Sequence, residues 1–295
     1  MRETIVDACG KRVLVGDGAL GTELMKRGLA PGACPELMSI EQPEVVLAVS
    51  RSYADAGADF LHSNTLGANR WMLVSYGLEA KVRDFNAAAV DIARRAARGR
   101  LFVVGEMGPT GRFVAPLGED PPDAFREVFA EQAGALAAAG ADAILLETFT
   151  ALDEALSALE AARETGLPVI ASVGYSRTAA GDYRTVMGHG IREFTSALED
   201  GGADVIGANC AMGADAYPAL VRELVRAASR PVMVQPNAGM PELLDGKTVF
   251  PMNAGEFAAH VPAIVEAGAR IIGGCCGTTS DHVREIRRAV DAWHR

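Results

Sequence analysis

The stretch Ala139-Gly140-Ala141-Asp142-Ala143-Ile144-Leu145-Leu146-Glu147-Thr148 decides the architecture. A helical pattern from Asp123 to Ala139 ends at a glycine, the residue suited to the left-handed position just past a helix end. Four apolar residues follow, a short bounded run of the kind that makes a buried parallel strand. The run stops at a carboxylate and a hydroxyl. Near copies stand at Ala56-Gly57-Ala58-Asp59, Gly201-Gly202-Ala203-Asp204 and Ala267-Gly268-Ala269-Arg270, leading into Phe60-Leu61, Val205-Ile206 and Ile271-Ile272.

Four more strand-like runs lie between these, at Val13 to Val15, Leu101 to Val104, Pro168 to Val173 and Pro231 to Val234. Helical patterns such as Glu44 to Ala56, Glu79 to Ala97 and Asp281 to Trp293 separate them. Eight strands alternating with helices over 295 residues predict a single (β/α)₈ barrel occupying residues 1–295. No linker or shift of composition divides the chain. The connections leaving the strands, Ala19 to Gln42, Gly108 to Pro122, Gly174 to Gly190 and Ala238 to Asn253, are longer than the turns that lead into the even strands. The site is therefore expected at the C-terminal rim.

Composition narrows the function. The formal charge is −10, from 28 Lys+Arg against 38 Asp+Glu, so no basic face is available for nucleic acid or an anionic membrane. No apolar run reaches the roughly 18 residues of a membrane span. MRETIVDACGKRV lacks the apolar region of a signal peptide. Five cysteines are too few for a disulfide scaffold and are expected to stay reduced, in a cytoplasmic protein.

Counted from each turn glycine, the seventh residue is Asn64, Glu147, Asn209 or Cys275, and the eighth is Thr65, Thr148, Cys210 or Cys276. Other runs end in Gly16-Asp17, Gly105-Glu106 and Gln235-Pro236-Asn237. Apolar strands that finish in carboxylates, amides and thiols on one rim describe an active-site mouth. Cys210, Cys275 and Cys276 stand out: three thiolates with one open position make a catalytic zinc site. Gly273, Gly274 and Gly277 let the backbone bend so that adjacent cysteines reach one ion. Such a zinc carries net −1 and suits activation of a substrate thiol better than hydrolysis. Asn237 is a candidate transient ligand, against the plainer reading of a hydrogen bond within its turn. Asp17 and Glu147 have no strand-end Lys or nearby Arg to meet, so a substrate ammonium is their natural complement. For Asp17 alone, capping of a local loop is an equal alternative.

Other signals carry less. Gly16 to Gly21 fits GxGxxG, but the next strand is too distant for a dinucleotide fold. GGCCGTT could be a phosphate loop, which leaves the paired cysteines unexplained. His62, His189, His260, His282 and His294 show no ligand spacing. Cys9 and Cys34 read as structural, and the lack of a strand-end Lys disfavours a Schiff-base aldolase.

GDGALGTEL, YADAGADFLHSNTLGAN, GPTG, LLETFT, GANC, QPNAG and GGCCGTT together resemble the homocysteine S-methyltransferase family, from about Val13 to Arg288. That family includes the homocysteine module of cobalamin-dependent methionine synthase and betaine–homocysteine methyltransferase. The resemblance implies a zinc on Cys210, Cys275 and Cys276 that takes the homocysteine sulfur. It also implies an ammonium on Asp17 and Glu147, a carboxylate on backbone amides near Gly18 and Ala19, and no separate protein base. Gly67 and Thr148 stand where betaine enzymes carry aromatic residues, so NTLGAN is closer to the cobalamin branch. The chain has no DxHxxG corrinoid motif. The donor is then expected to be methylcobalamin on a separate protein, or a small molecule such as S-methylmethionine. A different acceptor, a phosphate-binding barrel without zinc and a non-catalytic thiol-bearing subunit are the competing readings.

Overall fold

Gly57, Gly140, Gly202 and Gly268 all take left-handed φ, at 100°, 91°, 91° and 113°. In the first three turns the helix end closes with a double bond pattern. Gly57 N–H donates to Ala54 O and Ala58 N–H to Tyr53 O, and the same pair recurs at Gly140-Ala141 and Gly202-Ala203. The aspartate that follows has a second task. Asp59 N–H donates to Val15 O at 2.7 Å, while Asp59 Oδ2 accepts from Val15 N–H at 2.8 Å. Asp142 clamps Val103 in the same way, and Asp204 clamps Val169. Each clamp carries an arginine: Arg12 and Arg287 on Asp59, Arg94 on Asp142, Arg163 on Asp204. The fourth copy has Arg270 instead, whose guanidinium donates to Cys9 O and Gly10 O.

The computed structural model describes residues 3–244 and 246–293, so His294 lies outside it. Its barrel strands are β1 (Leu14–Val15), β2 (Phe60–His62), β3 (Phe102–Met107), β4 (Ala143–Phe149), β5 (Val169–Val173), β6 (Val205–Gly213), β7 (Val232–Asn237) and β8 (Ala269–Ile272). All pairings are parallel and the order is β1-β8-β7-β6-β5-β4-β3-β2. The Asp59 clamp stitches the β1–β2 seam below. Asp17 Oδ2, accepting from His62 N–H at 2.8 Å, stitches it above. This is the expected (β/α)₈ barrel. Strand β6 runs to Gly213, well past the two residues expected of it. Two of the long loops contain small hairpins, Ser176–Arg177 with Tyr183–Arg184 and Glu242–Leu244 with Lys247–Val249. No helix among the described residues is long and apolar enough to cross a membrane.

Leu14, Phe60, Val104, Ala143, Leu145, Ile170, Val205, Met233 and Ile271 form one buried cluster inside the barrel. Ile5, Ala8 and Cys9, from the helix Ile5–Lys11, join it from below, so Cys9 is part of the core. Thr4 and Asp7 close that helix's first turn with reciprocal side-chain-to-backbone bonds. Because side chains alternate along a strand, two further residues along β2 to β8 bring the next inward layer. That layer is His62, Glu106, Glu147, Ser172, Gly207 then Asn209, Gln235, and Gly273 then Cys275. The barrel is thus apolar at its base and polar at its top.

Candidate active site

Two strands break register where the polar layer begins, β4 between Leu146 and Phe149 and β6 between Asn209 and Gly213. Thr148, Cys210 and Ala211 hold left-handed φ of 62°, 57° and 55°, which costs a non-glycine residue energy. Bulges of this kind re-aim side chains. Asn209 ties the two bulges together. Its Nδ2 donates to Thr148 Oγ1 at 2.6 Å and to Glu147 Oε1 at 3.1 Å, and its Oδ1 accepts from Thr148 N–H and Ser172 Oγ. Tyr217 OH donates to Cys210 O and holds the second bulge from behind.

The turn after β8 brings the other two thiols. Cys275 N–H donates to Pro236 O, and Cys275 O accepts from Thr278. A Cβ on Gly274 would stand 2.4 Å from Thr278 Oγ1, so only glycine lets this turn close. Cys210, Cys275 and Cys276 end with their sulfurs within 4.8 Å of one another, the one such group among the described residues. Asn237 stands at the end of β7, among the neighbours of Cys210. Its Oδ1 is buried without a partner. The thiols of Cys275 and Cys276 donate to Cys210, which holds its pKa far below the ordinary thiol value. The same exchange, with burial, pushes Cys275 and Cys276 up.

The cluster faces a cavity of about 620 Å³ at the mouth of the barrel. His62, Glu106, Glu147 and Gln235 line its inner wall, and Glu36, Leu66, Met25, Met72 and Tyr76 its outer part. No Lys or Arg is among the described residues that line it. Glu147 Oε1 lies 4.0 Å from Cys275 Sγ. Burial, resisted by His62, raises the Glu147 pKa to about 7. Gln235 Oε1 is buried and unpartnered. A Cβ on Gly67 would meet Glu36 Oε1 at 2.9 Å, so a bulky residue there would displace that carboxylate.

Asp17 sits behind His62 and not on the cavity wall. It is 1 % exposed; Oδ1 lies 2.7 Å from His62 Nδ1 and Oδ2 takes the His62 backbone N–H. The sequence reading of Asp17 does not show that His62, on the neighbouring strand, lies against the carboxylate. Gly18 and Ala19 do line the cavity. Ala19 N–H already donates to Thr278 Oγ1, and Tyr53 OH donates to Ala19 O. His62 and Asn209 are the residues sequence reading undervalued. The period of two, counted up from Phe60 and Val205, is the signal that places both inside.

The description "Homocysteine S-methyltransferase" belongs to the family model that matches residues 14–290. The chain belongs to the homocysteine S-methyltransferase family. Two curated relatives from the family are the methionine synthases of Mycobacterium leprae and Mycobacterium tuberculosis, 34% and 35% identical over 97% of this chain. The chain spans 25% of the length of each. The metallated homocysteine methyltransferase MmuM of Escherichia coli superposes with a TM-score of 0.78, at 25% identity over 94% of this chain and 96% of its own. The carboxyl transferase domain of Rhizobium etli pyruvate carboxylase shares the barrel alone, at 17% identity and a TM-score of 0.55.

The residues of this chain fit a metal ion. Three soft donors converge, a fourth atom, Asn237 Oδ1, is buried and orphaned beside them, and an open cavity lies in front.

Proposed function

We propose that this chain transfers a methyl group to the thiol of homocysteine, giving methionine, with zinc held by Cys210, Cys275 and Cys276. One observation carries the reading: three convergent thiols at the inner wall of a cavity in which a buried carboxylate, Glu147, lies 4.0 Å from the nearest of them. Zinc on three thiolates, when bound, lowers the pKa of a substrate thiol and presents it as a nucleophile.

The chain's own residues do the rest. Glu147 takes the substrate ammonium, which supplies the cation its burial lacks, and the unpartnered Gln235 Oε1 offers a second acceptor. Asn209 fixes the Glu147 carboxylate from behind. The carboxylate lies toward the loop at Gly18 and Ala19, whose path Tyr53 and Thr278 set. Asp17 serves the site through His62 and not by touching the ammonium. Asn237 Oδ1, buried and unpartnered, would be a further donor available to the ion. The new S–C bond forms as the methyl group's bond to its carrier breaks; the electron pair leaves with the carrier and the thiol proton leaves as H⁺.

The donor we infer is methylcobalamin borne on a separate protein. Exposed apolar side chains on the strand-exit loops, Leu66, Phe113, Leu117, Val186, Met240 and Leu243, favour a protein partner at the mouth. The likeness to methionine synthases about four times as long points the same way. The cavity volume and the carboxylates Glu36 and Glu106 favour a second reading, a small cationic donor such as S-methylmethionine. Glu36 against Gly67 speaks against betaine. Zinc per chain and methionine formation with each donor test the assignment. Cys275→Ala should lose both zinc and activity, and full activity without zinc would overturn the reading.

A further inference from the structure

The cavity wall is strongly anionic. Glu36, Glu106, Glu147 and the thiols all line it, and the one basic side chain among its described lining residues is His62. His62 is 4 % exposed, and its ring is held from two directions. Asp17 Oδ1 stands 2.7 Å from Nδ1, and Phe60 packs edge-on with ring centroids 5.2 Å apart. Its Nε2 is buried and has no partner among the described residues. A buried polar atom left alone is costly, so a partner brought by the substrate would recover that cost. An α-amino acid in this cavity must also place a carboxylate where most neighbours repel it. The amide at Ala19 is already committed to Thr278, and His62 is the one basic side chain among the described lining residues.

We infer that His62 anchors the α-carboxylate of the substrate through Nε2–H, so that the site grips a zwitterion between His62 and Glu147. Asp17 is the positioning residue: its Oδ1 lies 2.7 Å from His62 Nδ1 and its Oδ2 takes the His62 backbone N–H, which fixes the ring and stabilises its charge. The imidazole pKa is consistent with this. Burial lowers it, but the Asp17 carboxylate outweighs burial and the net shift is upward, with Glu147 adding to it. This inference rests on homocysteine being the acceptor and adds the residue that selects for an amino acid over a simple aminothiol.

Calorimetric binding to the zinc-loaded protein separates the two claims. The ligands are homocysteine, 3-aminopropane-1-thiol, which lacks the carboxylate, and 4-sulfanylbutanoate, which lacks the ammonium. His62→Gln should weaken homocysteine and 4-sulfanylbutanoate by roughly tenfold or more, the worth of a charge-assisted hydrogen bond, and leave the aminothiol unchanged. Asp17→Asn should follow the same selectivity. His62→Asn gives a second, smaller neutral replacement should the first not fold. Equal losses for all three ligands, or none for homocysteine, overturn the role of His62. Failure of the unaltered protein to bind homocysteine at all overturns the acceptor and the inference built on it.

Discussion

A single amide, Asn209, serves four partners and so decides how two strands end. It is fully buried, and it holds Thr148 in its left-handed conformation while orienting Glu147. Asn209→Ala should lower stability by roughly 1–3 kcal/mol, because Ser172 Oγ and Thr148 N–H lose their acceptor. Homocysteine affinity should fall with it; urea unfolding and calorimetry on the same variant check the two effects. At this scale the thiols were the legible part of the site. Three cysteines at strand ends have few other uses, and the structure brings their sulfurs together. Asp17 was half legible. Its place at the rim follows from counting, but its partner His62 is 45 residues away in sequence, and only barrel closure makes them neighbours. His62 was passed over because ligand spacing was the wrong test for it.

Elements were legible where their signal is local. The turn glycines, the helix ends and the apolar runs are short-range features, and the observed strands fall on them within a few residues. The extension of β6 to Gly213 was not, since Asn209 to Gly213 is a polar, bulged stretch whose pairing to β7 is set by tertiary contacts. Between the hairpin strands Glu242–Leu244 and Lys247–Val249 the sequence carries an Asp-Gly turn signal that the loop reading did not use. His282 links two such elements. Its Nδ1 accepts from Thr279 N–H at the head of the helix Ser280–Trp293, and Nε2–H donates to Met252 O in the loop after β7. Burial lowers its pKa, against the Met252 carbonyl, so the fold holds it neutral. A histidine held below its unfolded value stabilises fully above that value and loses this contribution as pH falls through it. Stability should therefore drop between about pH 7 and pH 5, and less so in His282→Gln, as urea midpoints across that range would show. Equal pH slopes in the two proteins would remove His282 from this role.

At the scale of the whole molecule the repeated aspartates are the organising device. Asp59, Asp142 and Asp204 each bind the N–H and C=O of one residue on the preceding strand, and Asp59 does so across the one barrel seam without a continuous ladder among the described residues. Asp59→Ala should cost roughly 1–3 kcal/mol by leaving Val15 N–H and Arg12 without their acceptor and Arg287 with Asp291 alone, measurable by denaturant titration. A loss no larger than that of an ordinary surface substitution would mean the seam closes without it. The repeat was legible as a count of strands; the clamp was not, because nothing local says that an aspartate after a turn will reach back to the strand before it. The helix Ile5–Lys11, set into the base of the barrel and tethered by Arg270, has a consequence for traffic. A vessel stoppered at one end has one doorway, and visitors must queue. On the proposed function, a guest against the thiols would go in first and come out last, and a methyl carrier arriving behind it would have to step away before the product left.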